Sequence, residues 1–179
     1  MKRVVVTGIG IVSCLGNNQK EVCESLTNTK SGISFAAEYK EHNLKSNIHG
    51  KPNIKLEDHV DRKIIRFMGD GSAYNYIAMK EAIKDSGLEE KDVSNDMTGI
   101  IMGSGGPSIK NVVLAVDATR KTGPKKMGPF IVPRTMSSTN SATLAVPFKI
   151  RGVNYSISSA CATSGHCIGN GMELIQSGK

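Results

Sequence analysis

The 179-residue sequence contains no tryptophan, and aromatic residues make up only 4% of it. A hydrophobic core must therefore be built from aliphatic side chains, for which the hydrophobic content of 39% is sufficient. The formal net charge of +7 favours acidic partners. Nucleic acid is a poor candidate for such a partner, because the basic residues are scattered and few aromatic side chains are present to stack on bases.

The four cysteines show no CxxC spacing, which is the spacing typical of zinc and redox-disulfide sites. Cys161 and Cys167 are six residues apart, whereas two ligands on one helix would be three or four residues apart. The sequence therefore gives little support to a metal site. Reduced cysteines in the cytoplasm are the simpler expectation.

No apolar run is long enough to cross a bilayer, and we expect no association with a membrane. The N-terminus superficially resembles a short signal sequence, but Thr7, Gly8 and Gly10 interrupt its apolar stretch. Residues 3–9 are instead predicted to form a buried β-strand that ends in a glycine turn, because β-branched residues are nearly continuous there.

Strand-like and helix-like patterns alternate along the chain, which is typical of α/β layered folds. The clearest strand is residues 153–159, where Val153, Tyr155 and Ile157 alternate with polar residues. No repeat or low-complexity segment divides residues 1–179. The other predicted elements are strands at residues 3–9 and 98–104, an irregular segment at 33–60, and helices from Asn17 or Asn18 to near Gly32, at 61–86 before Gly87, at 109–120, at 135–147 and from close to Cys161.

Cys161 directly follows that strand, in the sequence SSACATSGHC at residues 158–167. The spacing of Ile168, Met172 and Ile175 predicts a helix that begins close to the cysteine. The positive end of a helix favours a thiolate, and the free N–H groups of its first turn can bind an oxyanion. Because the neighbouring residues are small enough to admit a carbonyl group, the position suits thioester acyl transfer through an acyl-enzyme.

A second interpretation of Cys161 stays open, since a free cysteine is often only a small buried hydrophobe. A catalytic cysteine normally also needs a histidine partner. His166 lies about one and a half turns along the same helix and is expected to point elsewhere. The visible sequence therefore does not complete a catalytic set; the other histidines, His42, His49 and His59, lie in the irregular segment and are expected at the surface.

Two glycine-containing motifs suggest nucleotide binding, but neither fits its pattern. GSGG at residues 103–106 is too short for a P-loop and is not followed by Lys-Ser or Lys-Thr. In TGIGIVS, Ser13 stands where the third glycine of a dinucleotide fingerprint belongs. A nicotinamide-binding module is thus a weakly supported alternative.

Four segments together resemble the bacterial β-ketoacyl-acyl-carrier-protein synthases, in particular the type I condensing enzymes of fatty-acid elongation. The resemblance extends over residues 1–179 and is most specific around Cys161. It implies a thiolase-like α/β fold, of which this chain is the N-terminal portion. The segments are VVVTGIGIVSCLGNN at 4–18, DRKIIRFM at 61–68, GSGG at 103–106 and PFKIRGVNYSISSACATSGHCIGN at 147–170.

The resemblance also implies a reaction. Cys161 would accept an acyl chain from acyl carrier protein as a thioester. Malonyl carrier protein would then lose carbon dioxide, and its carbanion would attack that thioester to lengthen the chain. The resemblance implies a cytoplasmic homodimer that uses neither a metal nor an organic cofactor, with residues 153–158 of the two copies paired across the dimer axis.

The sequence departs from the family in one large respect. Two histidines and a lysine complete the family's site, together with a phenylalanine-bearing loop that supplies a second oxyanion donor, and all come from the second half of a longer chain. This sequence stops just after the helix that follows Cys161. We therefore interpret it as an N-terminal fragment and expect it not to condense acyl and malonyl thioesters alone.

The resemblance assigns further residues to binding roles. A basic patch is predicted to dock the acidic carrier protein, although a short run of charges is more commonly a solvated face. Three residues are predicted near the acyl pocket, although methionines are also common as core gap-fillers. The patch consists of Arg62, Lys63, Arg66 and Lys125, and the pocket residues are Gly105, Gly106 and Met136, the last at the dimer contact.

Two other functions remain as alternatives. One is a related thiolase-fold condensing enzyme, such as a polyketide or longer-chain synthase, which residues outside this sequence would distinguish. The other is a non-catalytic partner subunit of the same fold, which would typically lack the active cysteine. The presence of Cys161 weighs against the second alternative.

Overall fold

The computed structural model describes residues 2–179, which form nine α-helices and two small two-stranded sheets. Single 3-10 turns lie at Leu56–Asp58, Pro124–Met127 and Ala160–Ala162. The strands are β1 (Ser34–Phe35), β2 (Ile48–His49), β3 (Ile100–Gly103) and β4 (Asn154–Ile157). The helices are α1 (Gln19–Thr27), α2 (Ala37–Glu41), α3 (Arg62–Ile65), α4 (Asp70–Ser86), α5 (Glu90–Val93), α6 (Ile109–Thr122), α7 (Ile131–Thr135), α8 (Thr139–Ala145) and α9 (Thr163–Ser177).

The predicted strands at 98–104 and 153–159 are confirmed as β3 and β4, which pair in parallel from Ile100 opposite Asn154 to Gly103 opposite Ile157. Parallel neighbours need a long crossover. Here α6, α7 and α8 provide it. As a result, the carboxyl ends of both strands lie at the same edge of the sheet, and the chain leaves β4 towards Cys161 at that edge.

Helices cover both faces of this strand pair. Ile100 and Met102 of β3 belong to the hydrophobic core with Leu144 of α8, whose side chain is fully buried. Gly103 lies against Thr163 of α9. Because successive strand residues point to opposite faces, α8 and α9 lie on opposite sides of the sheet. The buried core residues are Val60, Met68, Ala73, Val93, Ile100, Leu144, Ala145 and Ile150.

The strand predicted at residues 3–9 is wrong for the described chain. Val5 and Val6 are 60% and 78% exposed, and no strand among residues 2–179 pairs with this segment. It lies against α4, and Gly8 and Gly10 allow this because a Cβ at either would collide with the helix backbone. The β-branched run favours an extended backbone, but a strand also needs a neighbouring strand to complete its hydrogen-bond ladder.

Carboxylates of α4 bind the N-terminal segment in place of a strand. The N–H groups of Ile9 and Ile11 donate to Asp85 and Glu81, each at 2.9 Å. The Ile9 N–H, and after it the side chain of Gln19, hold the pKa of the Asp85 carboxyl below its usual value. The segment is thus tied to α4 by polar contacts rather than by a sheet.

Some of the predicted helix boundaries are confirmed and others differ. Asn18 caps α1 by accepting from the Glu21 N–H, and α1 ends at Thr27, before the predicted Gly32. The helix predicted over 61–86 is two helices, α3 and α4, separated by residues 66–69; it ends as predicted at Gly87, which has a φ of +69°. Across residues 2–179 no helix combines the length and the apolar character that crossing a membrane requires.

Candidate active site

The predicted corner between strand and helix is present, and Cys161 lies in it. β4 ends at Ile157, a 3-10 turn spans Ala160–Ala162, and α9 begins at Thr163. The expectation of a helix that begins close to Cys161 is thus confirmed, with the 3-10 turn leading into it. Cys161 is exposed, so the alternative of a buried structural cysteine does not hold in this chain.

The residue before Cys161 has an unusual backbone conformation. Ala160 has a φ of +47°, in the left-handed region that costs a residue with a Cβ about 1–2 kcal/mol. Such a conformation persists only where the surroundings enforce it. The φ of Ala160 sets the direction in which the chain enters Cys161.

The hydroxyl of Thr163 makes two hydrogen bonds inside this corner. It accepts from the N–H of Ser159 and donates to the carbonyl of Ala160, each at 2.8 Å. Thr163 itself is buried, with 5% of its surface exposed. A single side chain in the first turn of α9 therefore closes a loop around Cys161.

Two glycines allow β3 and the loop after it to lie directly against the corner. A Cβ on Gly103 would lie 2.0 Å from the Ile157 carbonyl oxygen and 2.6 Å from the Thr163 methyl group. A Cβ on Gly105 would lie 3.1 Å from the Ala160 carbonyl oxygen. Gly105, which was predicted near the acyl pocket, is thus next to the residue that precedes Cys161.

The N–H of Cys161 has no hydrogen-bond partner within residues 2–179, whereas the next N–H, that of Ala162, donates to the Ser159 carbonyl at 3.0 Å. When the sulfur of an exposed cysteine attacks a carbonyl carbon, a free N–H of the same residue can donate a hydrogen bond to the oxyanion that forms on the carbonyl oxygen. The chemistry available at this corner is therefore attack by sulfur combined with stabilisation of the resulting oxyanion.

His42 and His59 are at the surface, as the sequence predicted, whereas His49, also predicted there, is half-buried in β2. His166 is exposed on α9, and His49 lies in β2, where it faces Glu38 at 3.9 Å. His42 and His59 follow α2 and the first 3-10 turn and are exposed. No histidine among residues 2–179 hydrogen-bonds to Cys161, so the described residues place no base on the thiol.

Cys167 occupies a different environment from Cys161. It lines a cavity of about 230 Å³ together with Asn75, Gly103 and Thr163. Burial raises the pKa of the Cys167 thiol, and this outweighs the opposing effect of a hydrogen bond with the Ile157 backbone. A raised pKa disfavours the thiolate, so Cys167 is the less reactive type of cysteine.

The predicted basic patch begins at α3. Asp61 caps this helix by accepting from the Lys63 N–H at 2.7 Å, which leaves the side chains of Arg62 and Lys63 exposed. Within the described part of the chain, neither these two residues nor Arg66 and Lys125 form an ion pair. The four cations are therefore free to meet an acidic surface.

Arg66 connects the two parts of the patch. Its guanidinium lies 4.9 Å from the ring centre of Phe67 and 5.1 Å from that of Phe130, and the two rings meet edge to face at 4.8 Å. Phe130 follows the basic loop that contains Lys125, which is exposed. The contact brings Phe130, five residues after Lys125, next to Arg66, which the sequence could not show.

An apolar cavity of about 600 Å³ lies beside α3 and is lined also by residues of α7 and α8. Its lining includes Lys63 and Phe67 as well as Val132 and Met136. Met136 also lines a smaller cavity of about 150 Å³ that includes Gly106. Two of the three predicted pocket residues are thus brought together, while Cys161 is not among the lining residues of either cavity.

The family model described as "Beta-ketoacyl synthase, N-terminal domain" matches residues 1–179, the whole of the sequence. The chain belongs to the β-ketoacyl synthase family. Among curated relatives in this family is 3-oxoacyl-[acyl-carrier-protein] synthase 1 of Haemophilus influenzae, which is 53% identical over 180 residues. That match covers 100% of this chain and 44% of the relative, so the chain spans about half the length of the curated relatives it matches.

Solved structures of β-ketoacyl synthases share the fold. One from Burkholderia phymatum superposes with a TM-score of 0.86 at 24% identity, over 100% of this chain and 45% of that one. Another is a type II polyketide synthase ketosynthase bound to its acyl-carrier protein and a hexaketide, with a TM-score of 0.78 at 19% identity over 99% and 48%. The thiolase-like α/β fold predicted from the sequence is confirmed.

Sequence reasoning missed three features of this candidate site. The first is the left-handed Ala160, which carries no local signal because its side chain gives no indication of a positive φ. The second is the role of Thr163, although Ser and Thr near a helix start are a recognisable capping signal. The third is the contact of Arg66 with two phenylalanines that are 63 residues apart in sequence, Phe67 and Phe130.

Proposed function

We propose that this chain is the nucleophile-bearing part of a 3-oxoacyl-acyl-carrier-protein synthase, with Cys161 as the catalytic nucleophile. The observation that carries the proposal is an exposed cysteine with a free N–H, in a strained turn that leads into α9. The identity of 53% with a relative named as such a synthase supports the assignment of the substrate class.

In the first step, the Cys161 sulfur attacks the carbonyl carbon of an acyl-carrier-protein thioester. The new carbon–sulfur bond forms, the negative charge on oxygen is met by the Cys161 N–H, and the carrier leaves as a thiol with the proton that Cys161 gave up. Gly105 leaves space beside the corner, and Gly106 and Met136 are proposed to contact the acyl chain.

In the second step, malonyl carrier protein loses carbon dioxide, and its carbanion attacks the carbonyl of the acyl-Cys161 thioester. A carbon–carbon bond forms, the carbon–sulfur bond breaks, and the cysteine sulfur takes up a proton to regenerate the thiol. The histidines and lysine that the resemblance assigns to this step are not among these 179 residues. We therefore propose that this chain alone performs only the first step, and that neither step uses a metal or an organic cofactor.

The proposal includes a cytoplasmic homodimer. Four free cysteines in the described chain support a reducing compartment. Within residues 2–179, β4 has one neighbouring strand, β3, so its other edge pairs with no strand. An open edge of this kind pairs readily with a second copy.

A polyketide condensing enzyme is the second candidate, because one structural neighbour is a ketosynthase of that type. At 19% identity that neighbour supports only the fold, whereas the fatty-acid relative is 53% identical. A non-catalytic partner subunit is a third candidate, against which the exposed Cys161 argues.

The acylation step is tested by incubating this chain with an acyl-acyl-carrier-protein thioester and recording its intact mass. We expect a mass increase equal to one acyl group, which peptide mapping assigns to Cys161, and no 3-oxoacyl product after malonyl carrier protein is added. A chain that gains no acyl group, or gains it on another cysteine, contradicts the proposed nucleophile. Formation of 3-oxoacyl product contradicts the division of the two steps.

Carrier docking is tested by reversing charge on α3. In the double variant Arg62→Glu, Lys63→Glu, affinity for acyl carrier protein at low salt is expected to fall at least about tenfold, because two attractive contacts become repulsive. Calorimetric titration measures this. Added salt should weaken binding of the unaltered chain and reduce the difference between the two proteins.

The matched control is Lys45→Glu, Lys51→Glu, which changes the net charge by the same amount at two exposed lysines outside the patch. At the same low salt concentration, we expect this control to lose much less affinity than the patch variant, since it leaves the four patch cations in place. If both double variants lose affinity equally, the effect is one of net charge, and the docking patch is wrong.

A further inference from the structure

The chain enters Cys161 through a residue that would not by itself adopt the observed conformation. Ala160 has a φ of +47°, and its methyl group gives it no preference for that region. In the described chain, three other non-glycine residues have a positive φ. They are Thr29, Asn43 and Lys149, and all three lie in loops outside the corner. An interaction outside Ala160 must therefore hold it in place.

The hydrogen bonds of Thr163 have the required geometry. The hydroxyl accepts from the N–H of Ser159 and donates to the carbonyl of Ala160, both at 2.8 Å, so the backbone between the two bound groups contains the φ and ψ angles of Ala160 together with those of Ser159. The Thr163 N–H also donates to the same Ala160 carbonyl. Rotation of Ala160 to a negative φ would break these bonds.

The Thr163 side chain is itself held by packing. The residue is 5% exposed, and its methyl group is so close to Gly103 that a Cβ at Gly103 would lie 2.6 Å from it. The methyl group therefore fixes the rotamer and aims the hydroxyl at the corner. Rigid support of this kind, from β3 through Thr163 to Ala160, is what a precisely placed nucleophile needs.

We propose that Thr163 is a positioning residue, which holds Ala160 in the left-handed conformation and thereby sets the orientation of the Cys161 sulfur and N–H. The proposal rests on the proposed function in so far as Cys161 is the nucleophile. It concerns the geometry of the cysteine and not the acyl chemistry, so the two can be tested separately.

The test is peptide-resolved alkylation of the folded chain with iodoacetamide. The alkylation rate of Cys161 is divided by that of Cys23, an exposed cysteine in α1. The rate at Cys23 reports any general change in the iodoacetamide concentration or in the stability of the chain. In Thr163→Val, which keeps the shape and removes the hydroxyl, we expect this ratio to fall about tenfold as Ala160 relaxes and the sulfur turns away from α9. Thr163→Ser, which keeps the hydroxyl, should give a ratio within about twofold of the unaltered chain.

A second variant tests the proposed route through Ala160. Ala160→Gly permits a positive φ without strain, so adding it to Thr163→Val should restore most of the lost ratio, and the same double variant remains informative if Thr163→Val alone does not fold. An unchanged or raised ratio in Thr163→Val overturns the proposal, as does a Thr163→Ser ratio equal to that of Thr163→Val. A fall that Ala160→Gly does not reverse also overturns it.

The outcomes separate this proposal from the proposed function. If the chain takes no acyl group from the carrier thioester but the alkylation ratio responds as described, Thr163 positions the cysteine and the assigned function is wrong. If the chain is acylated on Cys161 but the ratio does not respond, the function stands and the role of Thr163 is wrong.

Discussion

The Cys161→Ala variant is expected to gain no acyl group from acyl-acyl-carrier-protein, whereas the unaltered chain gains one. The side chain is exposed at the corner between β4 and α9, so removing its sulfur removes the attacking atom and leaves little else changed. The loss should be complete, because Cys167, the other thiol beside the corner, is partly buried and has a raised pKa. Intact mass spectrometry measures the adduct directly.

The remaining cysteines provide the controls for this result. Cys23 is exposed but lies in the middle of α1, and Cys167 is partly buried with a raised pKa. Cys23→Ala and Cys167→Ala should therefore each be acylated to the same extent as the unaltered chain. An adduct that persists in Cys161→Ala, or disappears in Cys23→Ala, shows that another cysteine is the acceptor.

The position of Cys161 could be predicted because its signals are local. Alternation at Val153, Tyr155 and Ile157 indicated a strand, and the helical spacing of the residues after the cysteine indicated a helix. Both patterns depend only on neighbours in the sequence. The same is true of the Asn18 cap and of the end of α4 at Gly87.

The N-terminal segment shows where local patterns are insufficient. Its β-branched run favours an extended chain, but whether an extended chain becomes a strand depends on a partner elsewhere. In the described chain the Ile9 and Ile11 N–H groups donate to carboxylates of α4, and Val5 and Val6 remain exposed. Neither carboxylate is marked by the sequence as a partner for this segment.

The supports of the candidate site are also long-range. Gly103 and Thr163 are 60 residues apart in sequence, and Gly105 and Ala160 are 55 apart, yet each pair is in contact. The sequence singled out the glycines for possible nucleotide binding or an acyl pocket, while the structure shows them in close backbone packing. Because Gly103 and Gly105 carry no side chain, the backbone of the corner can lie directly against β3 and the loop after it.

Gly103→Ala is expected to destabilise the chain by about 3 kcal/mol, at the upper end of the cost of overpacking a core. The new Cβ would lie 2.0 Å from the Ile157 carbonyl oxygen, which is backbone paired in the β3–β4 ladder and cannot rotate away as a side chain could. It would also lie 2.6 Å from the Thr163 methyl group. The two strands must separate, or β4 must move together with the corner that follows it.

Gly171→Ala is the matched control, since the same methyl group is added to a glycine in α9 that has no neighbouring atom within 4 Å of the new Cβ. It is expected to stabilise the chain by about 0.5–1 kcal/mol, because alanine favours a helix more than glycine does. Urea unfolding followed by circular dichroism measures both changes, and the alkylation ratio of Cys161 to Cys23 should fall only in Gly103→Ala. If Gly103→Ala unfolds at the same urea concentration as the unaltered chain, then Gly103 is not closely packed against Ile157 and Thr163. In that case the proposal that β3 supports Thr163, and through it Cys161, is wrong.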